Sequence, residues 1–180
     1  NFSQQHSVQV LDSGNLLFFD NHRYMVPELS RCIEVAYDDF LAQHSLAENH
    51  PMKPVRLRYT YELLDAYHAF DAPEVMVVGP RLSTNEELLS YHTREYIEAV
   101  QHLSRGSAAV NPASFNFGPG DNPAYEGMYQ AAAWSTGASL KGVDLLASGE
   151  VNAALSISGG LHHAMPAYAA GFCVFNDPVI

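Results

Sequence analysis

Ala153-Ala154-Leu155-Ser156-Ile157-Ser158-Gly159-Gly160-Leu161-His162-His163-Ala164 is the stretch from which the fold can be read. Its first five residues are apolar or small, and the run is too short for a helix, so it reads as a buried strand. Gly159 and Gly160 then permit a tight bend, because glycine reaches backbone angles closed to other residues. Two adjacent histidines follow. In an open α/β sheet the chemistry sits in the loops beyond the carboxyl ends of the strands. The histidine pair is therefore the candidate site, and the rest of the chain reads as its scaffold.

Upstream of this strand, helices alternate with short apolar runs. Cys32-Ile33-Glu34-Val35-Ala36-Tyr37 reads as the first core strand, closed by Asp38-Asp39, with a polar loop through Asn49. Pro54 suits the first position of a helix running to about Phe70, with Leu57, Tyr61, Leu64 and His68 on one stripe. Val75-Met76-Val77-Val78 is a second strand, broken by Gly79-Pro80. Thr84 with Glu87 three residues on forms a capping-box pattern. Thr93 caps a further helix with Tyr96, Ile97, Val100 and Leu103 on its apolar face, stopped by Gly106. A long loop spans 107–122. Asn122 and Pro123 then suit the cap and first residue of a long helix to about 148, stopped by Gly149. The middle of that helix, Ala131 to Ser139, is rich in small residues and invites close approach by another backbone. Strands that are apolar throughout, each followed by a helix, predict an α/β layer with a largely parallel sheet. Residues 1–31 show no clear period. Leu16-Leu17-Phe18-Phe19 fits either an edge strand or a packed extension.

The chain has 180 residues, 47% of them apolar and 16% charged, enough for one domain with a core. No apolar run approaches the ~20 residues of a membrane span. The opening Asn1-Phe2-Ser3-Gln4-Gln5 lacks the basic start of a secretory signal. The formal net charge of -11 argues against a nucleic-acid surface and favours, mildly, a cationic substrate or partner. It also simply keeps a protein in solution. Cys32 and Cys173 make no disulfide framework, so a reducing cytoplasm is the expected compartment.

Near pH 7, neutral imidazole accepts a proton and imidazolium returns it. Two histidines in one site can divide the labour, one holding charge and one acting as base and acid. Adjacent positions do not have the i, i+4 spacing of a metal pair on one helix face, so neither is assigned as a zinc ligand. On spacing alone, a catalytic pair and two side chains merely closing a loop remain open readings.

Gly159-Gly160-Leu161-His162-His163-Ala164, followed by Gly171-Phe172-Cys173-Val174-Phe175-Asn176-Asp177, resembles the signature of the histone deacetylase superfamily. His163-Ala164-Met165-Pro166 looks most like its bacterial acetoin-utilisation branch. His50-Pro51-Met52-Lys53-Pro54-Val55-Arg56 resembles the family's N-terminal motif, and Gly120-Asp121-Asn122-Pro123 its substrate-rim loop. The matches run in order from about 32 to 180. The resemblance implies a three-layer α/β domain of the arginase/deacetylase fold, truncated here, with 1–31 as an unassigned extension. It implies a zinc-dependent hydrolase of acetyl-lysine or acetylated polyamine amides, with ferrous iron as the other metal to consider.

By that resemblance His162 hydrogen-bonds the metal-bound water and stabilises charge, and His163 is general base and then general acid. Gly171 and Phe172 match the wall of a narrow acyl-lysine tunnel, where an aromatic face suits a methylene stem. Asp121 matches the rim carboxylate that holds substrate backbone amides. Arg56 matches an arginine of the inner cavity, where a guanidinium suits an acetate anion. The ordinary readings beside these are a core Phe, an Asp next to a helix cap and a surface Arg. Cys173 is read as small-residue packing, not as a nucleophile. Ala170 stands where the family has a small hydroxyl residue.

The family's metal ligands, two aspartates and a histidine, lie beyond the Asn-Asp element and so beyond Ile180. Asp177 is not one of them. The 180-residue chain alone is therefore expected to be inactive. Two other readings stand beside this one: a catalytically dead deacetylase-like module that binds acylated ligands or a protein partner, and an arginase-type relative, against which the tunnel motif speaks.

Overall fold

The computed structural model describes residues 50–180 and three strands nearer the N-terminus. These are β1 (Val8–Val10), β2 (Leu16–Phe18) and β3 (Cys32–Val35). The later elements are α1 (Val55–Ala66), β4 (Val75–Val78), α2 (Asn85–Leu88), α3 (Arg94–Ser104), α4 (Met128–Ala147) and β5 (Ala153–Leu155). The closing of the first core strand by Asp38-Asp39, and the polar loop through Asn49, lie outside the described residues. Leu16–Phe18 is a strand, paired antiparallel with Val8–Val10.

The sheet is parallel, in the order β4-β3-β5. Cys32 stands opposite Val75 on one side and Ala153 on the other. Parallel neighbours need a crossover, and the helices supply it: α1 between β3 and β4, and α2 to α4 between β4 and β5. Among the described residues no helix is long and apolar enough to cross a membrane.

The short-range capping signals hold. Thr84 and Glu87 close a reciprocal capping box, and Thr93 accepts the Tyr96 N–H. Gly106 and Gly149 take positive φ just past their helices. Tyr96, Ile97, Val100 and Leu103 are all buried, in one cluster with Leu88, Phe117, Met128 and Phe175. At ~1.5–3 kcal/mol for each fully buried large apolar side chain, this cluster is the main stabiliser of the α3–α4 half.

Three expectations need correction. The long helix starts at Met128, not at 123. Asn122 is occupied elsewhere: its Oδ1 accepts the Phe172 N–H at 3.0 Å. The helix is instead capped by tertiary structure. The Ser104 hydroxyl accepts the Tyr129 N–H, and the Ser104 carbonyl accepts the Gly127 N–H, each at 3.0 Å. Second, α1 ends at Ala66, and His68 sits beyond it with φ 56°, exposed and bonded to Asp71. Only Leu57 and Leu64 of the proposed stripe are buried. Third, among the described residues β5 is covered on one face only. Gly142 of α4 approaches Ala154 closely, while Leu155 stays 43% exposed.

The small-residue run of α4 does admit another backbone. A Cβ on Gly137 would stand 1.9 Å from the Arg81 carbonyl oxygen, and the Ser83 N–H donates to the Ala133 carbonyl at 3.0 Å. The backbone that approaches at Gly137 is the loop after β4. Within the 107–122 loop, Asn111 caps a single 3-10 turn at Pro112–Phe115.

Candidate active site

The bend after β5 is built as its glycines suggest. Gly160 has φ +82°. The Asp177 carboxylate holds the bend from below, accepting the Gly160 N–H at 2.9 Å, the Leu161 N–H at 2.7 Å and the Ser139 hydroxyl. Ser135 on α4 donates to the Ser158 carbonyl. Two serines of one helix face thus tie the bend to α4.

His162 and His163 emerge from this bend with ring centroids 4.1 Å apart. Both are exposed among the described residues. His162 Nδ1 lies 2.9 Å from the Gly160 carbonyl oxygen, which can only accept. Nδ1 therefore carries a proton and donates it to that carbonyl. The Asn176 side-chain amide donates to the carbonyls of His162 and Ala164, at 3.1 and 2.8 Å. The backbone on both sides of His163 is thereby fixed.

The 164–176 loop folds back through two antiparallel bridges, Met165 with Tyr168 and Ala170 with Cys173. Gly171 and Phe172 lie inside the second, both at positive φ, +52° and +70°. Glycine tolerates that region; Phe172 does not, and strain of this kind persists only where neighbours enforce it. Asn122 enforces it here by accepting the Phe172 N–H. A Cβ on Gly171 would meet the His163 ring at 2.7 Å. The sequence at 171 is set by the imidazole packed against it.

His50 joins this wall to the rim. It is buried, and its ring meets Phe172 edge-on at 4.7 Å. Its Nδ1 accepts the Met52 N–H at 3.1 Å, which leaves Nε2–H to donate to the Asp121 carbonyl at 3.2 Å. Asp121 itself is exposed.

A cavity of about 90 Å³ opens beside Phe172. Arg56, Asp121 and Phe172 share its wall with Leu57, Leu161 and Ser135. The wall is mostly apolar, and Arg56 brings the positive charge. Burial around the guanidinium pushes its pKa down, although part of the residue stays open to solvent. Among the described residues Arg56 forms no ion pair. Six residues singled out from sequence thus fall into two groups. Arg56, Asp121 and Phe172 line the cavity; His162, His163 and Gly171 do not, and Phe172 with Leu161 connects the two. Cys173 is buried, its Sγ beside the Gly171 carbonyl, and burial raises its pKa, as suits a packed thiol.

Four residues that hold the site had no part in it assigned from sequence: His50, Asn176, Asp177, and Asn122, which reads there as a helix cap. His50, Asn176 and Asp177 stand inside recognisable motifs, but their bonds run to backbone atoms up to 71 positions away, which no local pattern displays. His92, 2% exposed, is a fifth. Among the described residues no group of three His, Cys, Asp or Glu could hold a metal ion, and Asp177 is committed to the bend. The described residues do not form a zinc site.

Residues 50–180 match the histone deacetylase domain. The chain is 36% identical to the acetoin utilization protein AcuC of Staphylococcus aureus (strain MSSA476) over 145 residues, 80% of this chain and 37% of that protein. It is 37% identical to AcuC of Bacillus subtilis (strain 168) over 134 residues, 74% of this chain and 34% of the relative. Against histone deacetylase RPD3 of Saccharomyces cerevisiae the identity is 31%, over 86% of this chain and 36% of that one. The chain thus spans little more than a third of the length of these relatives. The crystal structure of a histone deacetylase homolog from Aquifex aeolicus superposes with a TM-score of 0.65 at 26% identity, covering 83% of this chain and 39% of that one. The glycine-bounded histidine pair thus stands on the arginase/deacetylase α/β fold, and the chain belongs to the histone deacetylase family, on its acetoin-utilisation branch.

Proposed function

We propose that the protein hydrolyses the amide of an acetylated lysine, or of an acetylated polyamine, with His163 as general base and then general acid. The observation that carries this is the His162–His163 ring pair, its backbone held by Asn176 and its His163 ring packed on Gly171, next to Phe172, which shares a cavity wall with Arg56. An imidazole held in one orientation can take a proton from an attacking water and return it to the leaving amine. His162 faces the same reacting atoms and spreads the charge that develops. Phe172 offers its face to the methylene stem of the substrate, Gly171 keeps the wall thin, and the Asp121 carboxylate holds backbone N–H groups at the rim. Arg56 offers the released acetate a cation in an apolar surround.

Zinc, or ferrous iron, belongs to the reading through the family; it activates water and polarises the carbonyl. Since the described residues do not form its site, the ligands are proposed to come from elsewhere in the protein. The catalytic portion is placed from residue 32 onward, and the cytoplasm is the proposed compartment.

The test is acetate release from an acetyl-lysine peptide and from an N-acetylated diamine, with and without a chelator. Release that stops on chelation and falls at least a hundredfold in His163→Ala supports the reading. Tight binding of the acylated ligand without turnover, in zinc-loaded protein, overturns it in favour of a binding module. The 180-residue chain assayed alone should release none.

A further inference from the structure

His92 precedes α3 and is buried among Tyr91, Tyr96 and Phe175, with ring centroids 5.0 to 5.3 Å away. Its two nitrogens reach the two arms of the loop that carries the site. Nδ1 lies 3.1 Å from the Met165 carbonyl oxygen, and Nε2 lies 3.0 Å from the Asn176 backbone nitrogen. A carbonyl only accepts and an amide N–H only donates. The ring must therefore be neutral, with the proton on Nδ1. Neighbouring bonds repeat the pattern. The Thr93 N–H donates to the Pro166 carbonyl at 2.9 Å, and the Tyr96 hydroxyl to the Val174 carbonyl at 2.7 Å. The start of α3 thus ties residues 165–166 to residues 174–176.

What is tied matters for the chemistry. Asn176 is the residue whose side chain holds the carbonyls of His162 and Ala164. Its Oδ1 is buried without a partner among the described residues, so the amide is oriented by its nitrogen and by its own backbone. We propose that His92 is a positioning residue: as the Nδ1–H tautomer it staples Met165 to Asn176, and through Asn176 it sets the orientation of His163. The catalytic part of this inference rests on the proposed deacetylase reading; the staple itself does not. Burial lowers the pKa of His92, which favours the neutral ring that the geometry requires. Tyr91 and Tyr96 are the titratable side chains in ring contact with it, and burial pushes the Tyr96 pKa up.

The experiment compares wild type with His92→Leu, which keeps volume and loses both bonds, and His92→Gln, which keeps one donor and one acceptor. In His92→Leu the Asn176 amide should exchange with solvent roughly ten- to a hundredfold faster, the equivalent of one buried hydrogen bond. On an acetyl-lysine peptide its kcat should fall at least tenfold with KM within about twofold. His92→Gln should recover kcat to within about threefold of wild type. An unchanged kcat in His92→Leu with the Asn176 amide released, or a loss that Gln does not recover, overturns the proposal. Should His92→Leu fail to fold, the tautomer of His92 in ¹⁵N-labelled wild type decides: a proton on Nε2 refutes the staple. Whole, zinc-loaded wild-type protein, as against the 180-residue chain alone, that releases no acetate refutes the deacetylase reading instead, and the exchange and tautomer measurements still judge the staple.

Discussion

The imidazole of His163 occupies the space into which a side chain on Gly171 would project, with Cγ 2.7 Å from the position of a Cβ. The wall and the proposed base are therefore one packed unit. Gly171→Ala adds that clash to the cost of a methyl group at φ +52°. The ring, being the exposed partner, gives way. Steady-state kinetics should show kcat reduced at least tenfold, with about 1–3 kcal/mol lost in denaturant unfolding. Full activity in a well-folded Gly171→Ala protein would remove His163 from the acid–base role.

Asp177 receives three donors, two from the bend backbone and one from Ser139. Charge-assisted bonds of this kind are about twice as strong as neutral ones. Asp177→Asn turns one acceptor into a donor that faces a backbone N–H or the Ser139 hydroxyl. The expected loss is about 2–4 kcal/mol, against ~1 kcal/mol for Ser139→Ala. Equal losses in the two variants would mean that the carboxylate does not hold the bend.

The parts of this fold legible in sequence are those whose causes are local. Thr84 with Glu87, Thr93 with Tyr96, and Gly106 and Gly149 are readable because the cap and the helix end it satisfies lie within four residues. The start of α4 is not, because Ser104 satisfies its orphan N–H groups from 25 residues away, leaving Asn122 to hold Phe172. The candidate site divides in the same way. His162 and His163 stand out by residue type beside glycines. His92 and His50 look like ordinary core histidines until their ring nitrogens are seen to reach Asn176 and Asp121.

The contact at Gly137 gives a sharper packing contrast. A methyl group there would overlap the Arg81 carbonyl and the Ser83 nitrogen, both backbone atoms that cannot swing aside. Among the described residues, a Cβ on Gly142 of the same helix meets only the Ala154 methyl, at 3.1 Å. Gly137→Ala should lose more than about 4 kcal/mol or fail to accumulate as folded protein, while Gly142→Ala stays within about 1 kcal/mol of wild type. Thermal unfolding of the pair checks it; a tolerated Gly137→Ala would show that the 81–83 loop does not lie on α4.

Arg81 gives that loop a second anchor. Its guanidinium donates to both Glu87 oxygens, at 2.7 and 3.0 Å, and to Asp144 on α4 at 3.0 Å. Chiefly through the hydrogen bond from Arg81, the Glu87 carboxyl is lowered to about 2, with the Thr84 N–H helping. A carboxyl depressed by folding stabilises the protein fully above its ordinary value near 4.5. That contribution drains away as pH falls toward 2. The pair is about 30% exposed, its side chains 31% and 29%, so solvent screening trims the effect to an order of 1–2 kcal/mol. Glu87→Gln should therefore unfold at lower denaturant than wild type by a constant margin above about pH 5, and the two should converge below about pH 3. A margin that persisted at pH 2 would assign the stabilisation to the shape of the capping box instead of to the ion pair.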